Sequence, residues 1–193
     1  ARVVGKVDRV DGWLHDGKLY LRVVDYKTGK KSFDLAELRY GLGLQMLLYL
    51  FTLKEEGQML FGGHEIVPAG VLYTPAREPM LRCARDTEPE TIEKALKKEL
   101  RRSGMVLEDP AVLQAMEHSA LESPCYLPIA VKRDGAVTGS LASAEQLGKL
   151  SKYVDHILNH AGGLRGQHRR RPLRAHAAAV GLHLLRVRER VPL

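Results

Sequence analysis

The sequence predicts a mixed α/β fold, on three observations. Two strand-like apolar runs, residues 3–10 and 19–26, lie on either side of the polar turn His15-Asp16-Gly17-Lys18. After Asp34, apolar residues recur by threes and fours, the period of a helix. A third apolar run, Ala69-Gly70-Val71-Leu72-Tyr73, then reads as a buried strand ended by Pro75. A strand hairpin, a helix and a further strand in that order should build a mixed central sheet flanked by helices.

The elements follow in chain order. The first two strands read as an antiparallel hairpin, with the second apolar enough to be central. Asp34 is expected to cap a helix, with Glu37 as its capping-box partner, running to about Glu56 and closed by Gly57. Its apolar stripe is Leu35, Leu38, Leu42, Met46, Tyr49, Leu50 and Leu53, and Gln45 is placed on that inward face. Gly41 and Gly43 each cost roughly 1 kcal/mol relative to alanine in a helix, so they mark either close backbone approach or an irregular turn. Residues 90–102 read as a charged amphipathic helix. Residues 110–120 read as another, capped by Asp109. Residues 129–137 read as a hairpin around Asp134-Gly135. Ser143 and Gln146 make a capping box for a last helix with Leu147, Leu150, Val154, Ile157 and Leu158 inward, stopping near Gly162-Gly163.

Composition excludes some classes. The chain has 193 residues, enough for one domain with its own core. No apolar stretch reaches the ~20 residues that span a membrane. It begins Ala1-Arg2-Val3-Val4, with no initiator methionine and no secretory leader, and is expected to be part of a longer protein. Cys83 and Cys125 are isolated thiols without metal-ligand spacing, which fits a reducing compartment and a cytoplasmic protein. The net charge of +7 arises entirely in residues 164–193, which hold 8 Lys+Arg and one acidic residue; residues 1–163 hold 22 of each sign. The charge therefore says nothing about the folded body.

The chemistry lies at the ends of the first two strands. Asp25-Tyr26-Lys27 closes the second apolar run, and Asp8, Arg9 and Asp11 lie on the first. Two carboxylates brought together there suit a hard divalent cation, and a lysine beside them can act on a water. That is the minimal equipment for hydrolysing a phosphodiester. Taken singly, each residue has a plainer role. An aspartate after a strand caps a turn, Lys27 is a solvated strand end, Tyr49 is core, and Gln45 satisfies a buried backbone group. Arg9 and Asp11 suit a salt-bridged strand end as well as a DNA contact. The basic residues Lys94, Lys97, Lys98, Arg101 and Arg102 read as a solvated helix face diluted by Glu90, Glu93 and Glu99. His15, His64 and His156 have no metal-like company and read as surface.

Taken in order, Gly5-x-x-Asp8-Arg9-x-Asp11, then Asp25-Tyr26-Lys27-Thr28-Gly29, then Gln45-x-x-x-Tyr49 resembles the PD-(D/E)XK nucleases in their RecB-like branch. Within it, the chain is similar to the C-terminal nuclease domains of the AddB family, the second subunits of bacterial AddAB helicase–nucleases. Phe33-Asp34-Leu35-Ala36-Glu37, Gly41-Leu42-x-Leu44-Gln45 and the run at Ala69 carry that likeness, which covers about residues 3–163. The resemblance implies a restriction-endonuclease-like fold and a Mg²⁺- or Mn²⁺-dependent deoxyribonuclease that processes double-strand ends for recombinational repair. It implies Asp8, Asp25 and the Tyr26 carbonyl as metal ligands, and Lys27 as the group that orients the attacking water. Gln45 and Tyr49 would steady the active site and the nearby DNA, with Arg9 a further DNA contact. DNA and an AddA-like subunit are the implied partners.

Two departures bear on this. The family's first helix, which often brings a further His or Glu to the metal, does not precede the first strand. AddB proteins also resemble iron–sulfur proteins near the C-terminus, with a Cys-x2-Cys-x5-Cys run, and this chain lacks those cysteines. One choice of codons for residues 182–192, read one base later, encodes a run with that spacing. Residues 164–193 are therefore expected to be a frameshifted reading, with little packing against the body, rather than a basic arm that grips phosphates. Two other functions compete with the first. One is an inactive nuclease-like module that binds DNA or a partner subunit. The other is a nuclease of another RecB-like group, such as a CRISPR-associated or phage exonuclease; the segment at Phe33 and the strand at Ala69 favour AddB over it.

Overall fold

The computed structural model describes residues 5–29, 31–40 and 43–163. Strands β1 (Arg9–His15) and β2 (Lys18–Lys27) form the expected antiparallel hairpin. Its two-residue turn, Asp16-Gly17, has positive φ at both positions, 49° and 73°. That is the twist a tight hairpin needs, and aspartate and glycine tolerate it. The first strand begins later than the expected residue 3: Val3 and Val4 lie outside the described residues, and residues 5–8 are not paired as a strand.

Helix α1 (Leu44–Glu56) is shorter than the helix expected from Asp34. Residues 34–40 form a turn and a 3-10 segment, Glu37–Tyr40. Gly43 then sits left-handed at φ 71°, which starts α1 afresh. Asp34 accepts a hydrogen bond from the Ala36 N–H at 2.8 Å, closing a local turn rather than a capping box. Leu35 is accordingly exposed, while Leu38, Met46, Leu50 and Leu53 are buried as expected. Leu42 lies outside the described residues.

Strand β3 (Glu65–Pro75) runs parallel to β2, with α1 between them in sequence. Helix α2 (Pro89–Glu99) leads into β4 (Ser103–Leu107), which pairs antiparallel with β3. Helix α3 (Pro110–Met116) starts at Asp109, whose carboxylate accepts the N–H groups of Ala111 and Val112. The hairpin β5 (Ile129–Val131) and β6 (Val137–Gly139) turns at Asp134-Gly135. The two-residue strand β7 (Leu141–Ala142) pairs parallel with β4. Helix α4 (Ala144–Gly163) opens on the expected capping box: Gln146 Oε1 accepts the Ser143 N–H at 2.8 Å, and Ser143 Oγ accepts the Gln146 N–H at 3.2 Å. The main sheet has the order β1-β2-β3-β4-β7. Residues 164–193, and with them the expectation of a frameshifted tail, lie outside the described residues.

The pleat divides the core. Leu19, Leu21 and Val23 of β2, with Val71 and Tyr73 of β3, pack with α1 and α4 on one face. Val24 and Leu72 point the other way, against Val106, Leu113, Leu127 and Ile129. Each fully buried leucine of this kind contributes about 1.5–3 kcal/mol. Under the second face, Glu117 holds the loop between α3 and β5. Its carboxylate accepts the N–H groups of Cys125 at 2.6 Å and Leu127 at 2.9 Å, and also that of Tyr126. Glu117→Ala leaves these donors without their acceptor and should destabilise the fold by about 3 kcal/mol, read from urea unfolding midpoints. An unchanged midpoint would show that water replaces the carboxylate at no cost.

Candidate metal and nuclease site

Residues at one end of the β1–β2–β3 triplet share the α1 face. In β2 the side chains of Val23, Asp25 and Lys27 alternate onto that side, so the period-2 spacing carries Asp25 and Lys27 out of the core and into one cleft. Lys27 Nζ lies 2.5 Å from Asp25 Oδ2. Asp25 Oδ2 is buried and receives no hydrogen bond of good geometry among the described residues. The last β1–β2 pair is Arg9 with Val24, so the next position in that register sets Asp8 beside Asp25. Asp8 Oδ2 accepts the Tyr26 N–H at 3.1 Å, so a side chain takes over the ladder where the backbone leaves it. In an extended strand the N–H and C=O of one residue face the same neighbour, so the Tyr26 carbonyl also opens on the Asp8 side.

The electrostatics are those of a pre-paired cation. The Asp25 carboxylate, in ion-pair contact with the Lys27 ammonium, raises its pKa above the ordinary 10.5, and Asp8 adds to this from further away. Lys27 is thus a proton donor at neutral pH, not a base. Tyr73 stands beside Asp25 in the β2–β3 register, and its ring lies 5.6 Å from the Lys27 ammonium. Burial, and then the Asp25 carboxylate, push its phenol above the usual range, so it stays neutral. Tyr73 is a site residue that sequence reasoning missed. Within an apolar strand it reads as core, and only the register of β3 on β2 brings it to the carboxylates.

Gln45 and Tyr49 stand one turn apart on α1, and Gln45 Nε2 donates to Tyr49 Oη at 2.8 Å. Gln45 is exposed, which corrects its expected inward placement: Leu44, Leu47 and Phe51 are buried along with Met46, Leu50 and Leu53, which centres the buried face of α1 away from Gln45. The Tyr49 ring packs against the backbone of Gly5. A methyl group there would stand 2.6 Å from Cε1 and 2.9 Å from Cζ. Gly5→Ala should therefore displace the ring and cost about 1–3 kcal/mol. A double-mutant cycle with Tyr49→Ala should recover most of that loss, because the smaller side chain gives back the space. Additive effects would show that the two residues do not share this contact.

Arg9 and Asp11 lie on the opposite face. Asp11 is buried and receives Arg9 Nε at 2.6 Å and Arg22 Nε at 2.8 Å. Arg9 also donates to Tyr26 Oη at 3.2 Å. Of the two roles left open for this pair, the salt-bridged strand end is the one seen. His15 is exposed and stacks on Trp13 at 4.4 Å.

Among the described residues no three His, Cys, Asp or Glu side chains gather closely enough to hold a metal ion. The donors that the strand register places next to one another are oxygens: the carboxylates of Asp8 and Asp25 and the Tyr26 carbonyl. Such a set fits a hard divalent cation that keeps several waters. Both described cysteines are free thiols, Cys83 exposed and Cys125 half-buried. No described helix is long and apolar enough to cross a membrane.

A mixed five-stranded sheet, with an acidic pair and a lysine on adjoining strand ends, defines a restriction-endonuclease-like α/β protein. The family model of the PD-(D/E)XK nuclease superfamily matches residues 1–175, and the chain belongs to that superfamily. It is similar to proteins named as the B subunit of an ATP-dependent helicase/deoxyribonuclease. In Ruminiclostridium cellulolyticum the identity is 36% over 159 residues, covering 81% of this chain and 14% of the relative. In Bacillus thuringiensis it is 37% over 164 residues, covering 83% and 14%. In Clostridium botulinum it is 35% over 159 residues, covering 81% and 14%. The chain thus spans about one seventh of the length of the curated relatives it matches.

Proposed function

We propose that the chain is the metal-dependent DNA-cleaving module of a helicase–nuclease, with residues 1–163 as the nuclease domain. What supports this most is the Asp25–Lys27 ion pair set beside Asp8, in a chain similar over four fifths of its length to subunits named deoxyribonuclease. Asp8, Asp25 and the Tyr26 carbonyl would hold Mg²⁺ or Mn²⁺. A cation bound there supplies Lewis-acid polarisation of a phosphoryl oxygen and an acidified water. Lys27, kept charged by Asp25, donates hydrogen bonds to the attacking water and to the phosphate oxygens as negative charge builds on them. Tyr73, neutral and buried, walls one side of the carboxylates. Gln45 and Tyr49 steady the segment that carries Asp8, through the contact on Gly5, and face the bound strand. Arg9 contributes through Asp11 and Tyr26. DNA is the substrate, and a helicase–nuclease subunit resembling AddA is the partner, in the cytoplasm.

The test is digestion of end-labelled linear DNA by the chain and by its full-length parent. Cleavage should require Mg²⁺ or Mn²⁺, stop on addition of EDTA, and return when the metal is restored. Metal-dependent DNA binding without cleavage by either protein would identify the non-cleaving module instead.

A further inference from the structure

The same strand ends open into a cleft that begins at Lys27 and Tyr73 and continues away from the carboxylates. This cleft of about 330 Å³ runs from Lys27 along the ends of β2 and β3 to the last turn of α2 and the start of β4. Its lining includes five basic side chains, Lys27, Lys31, Arg77, Lys98 and Arg101, and one carboxylate, Glu99. We propose that this cleft binds non-scissile phosphates of the DNA strand and so feeds the scissile one to Lys27. The inference rests on the nuclease reading and adds the path of the strand.

Its parts divide into walls and contacts. Arg77 is fixed by Glu99, with Nη2 to Oε2 at 2.8 Å. Arg101 is fixed by donating to the carbonyls of Leu127 and Ile129. These two arginines hold the shape of the cleft; Glu99 offsets the charge of Arg77, whereas Arg101, held by neutral carbonyls, adds positive potential. Lys31 and Lys98 are exposed and make no ion pair among the described residues, unlike Lys94 and Lys97 on the same helix as Lys98, which pair with Glu90 and Glu93. The cleft also offers a hydroxyl donor, Ser103, which pairs with Tyr73 across β3 and β4. Ser103 Oγ accepts the Phe33 N–H at 2.8 Å, which leaves its own proton to donate. Cations at the mouth and an unspent hydroxyl within are what a phosphodiester backbone requires, and they carry no base preference. A free phosphate or mononucleotide presents the same chemistry, so the test separates the two.

The experiment measures binding of fluorescein-labelled single-stranded oligonucleotides to the full chain in EDTA, across a range of salt concentrations. In the double variant Lys31→Ala/Lys98→Ala the slope of log K against log salt should fall in magnitude by about 1.4, or about 0.7 for each phosphate no longer neutralised. The fall should be the same for different base sequences. Both lysines are exposed, so the variant should keep the parent's thermal midpoint. Deoxythymidine monophosphate at matched phosphate should not displace the oligonucleotide. An unchanged slope in the double variant, or full displacement by the mononucleotide, would overturn the proposal. Mg²⁺-dependent cleavage by the same preparation reports separately on the nuclease reading. Cleavage with an unchanged slope removes only the cleft, whereas a reduced slope without cleavage removes only the nuclease.

Discussion

Asp25→Ala should abolish DNA cleavage by the full-length parent while leaving the fold almost untouched. The substitution removes the carboxylate whose buried Oδ2 has no good hydrogen bond and stands 2.5 Å from the Lys27 ammonium. Losing the cation's ligand forfeits several kcal/mol of transition-state stabilisation, a rate loss of about 10³-fold or more. The cost to the fold is small because the Lys27 side chain is 38% exposed and can rehydrate. The pair is half-buried, 38% exposed at Lys27 and 17% at Asp25, and contributes about 1 kcal/mol. Cleavage rates alongside thermal melts check both halves. Wild-type cleavage in Asp25→Ala would sink the site assignment, whereas a collapsed fold would make Asp25 structural.

Lys27→Ala should cost about 10²–10³ in rate, the usual loss for one preorganised donor to developing negative charge. Metal binding should survive, because the oxygens that would hold the ion remain. Asp25→Asn adds a pH signature. Asp25 holds the Lys27 ammonium above its ordinary 10.5, so the wild-type rate should not fall through Lys27 deprotonation until the pH exceeds that value. Without the carboxylate, whatever activity remains should show its alkaline limb at lower pH. The same sign governs stability. A folded-state pKa raised above the unfolded one contributes fully below the ordinary value and fades only as pH climbs through the raised one. Neutral solution therefore keeps both the pair and its charge.

Local signals made much of this architecture legible. The hairpin, the caps at Asp109 and Ser143, and the inward stripes of α1 and α4 are written in neighbouring residues. Asp25 and Lys27 could be placed on one face because a strand repeats every two residues. Features set by distant pairings were not legible. Strand β4 is a short run after a charged helix, and it exists because Gly104, Met105 and Val106 pair with β3 more than thirty residues earlier in the chain. Strand β7 is two residues held by β4. Tyr73 joins the site through the parallel register of β3 on β2, which no local pattern encodes. The long helix expected from Asp34 failed at Gly43. The apolar period continues across that position, but its positive φ breaks the helix, and Gln45 faces outward because Leu44, Leu47 and Phe51 widen the buried face on the other side.

Asp8 and Asp25 must share one divalent ion for these strand ends to work as a nuclease site. Titration of Mn²⁺ into the chain, followed by electron paramagnetic resonance of the free ion, measures this directly. The wild-type chain should bind about one ion in a site that Mg²⁺ competes for, and Asp8→Ala and Asp25→Ala should each lose it. Lys27→Ala should keep it. Equal Mn²⁺ binding in the wild type and both aspartate variants would contradict the shared site.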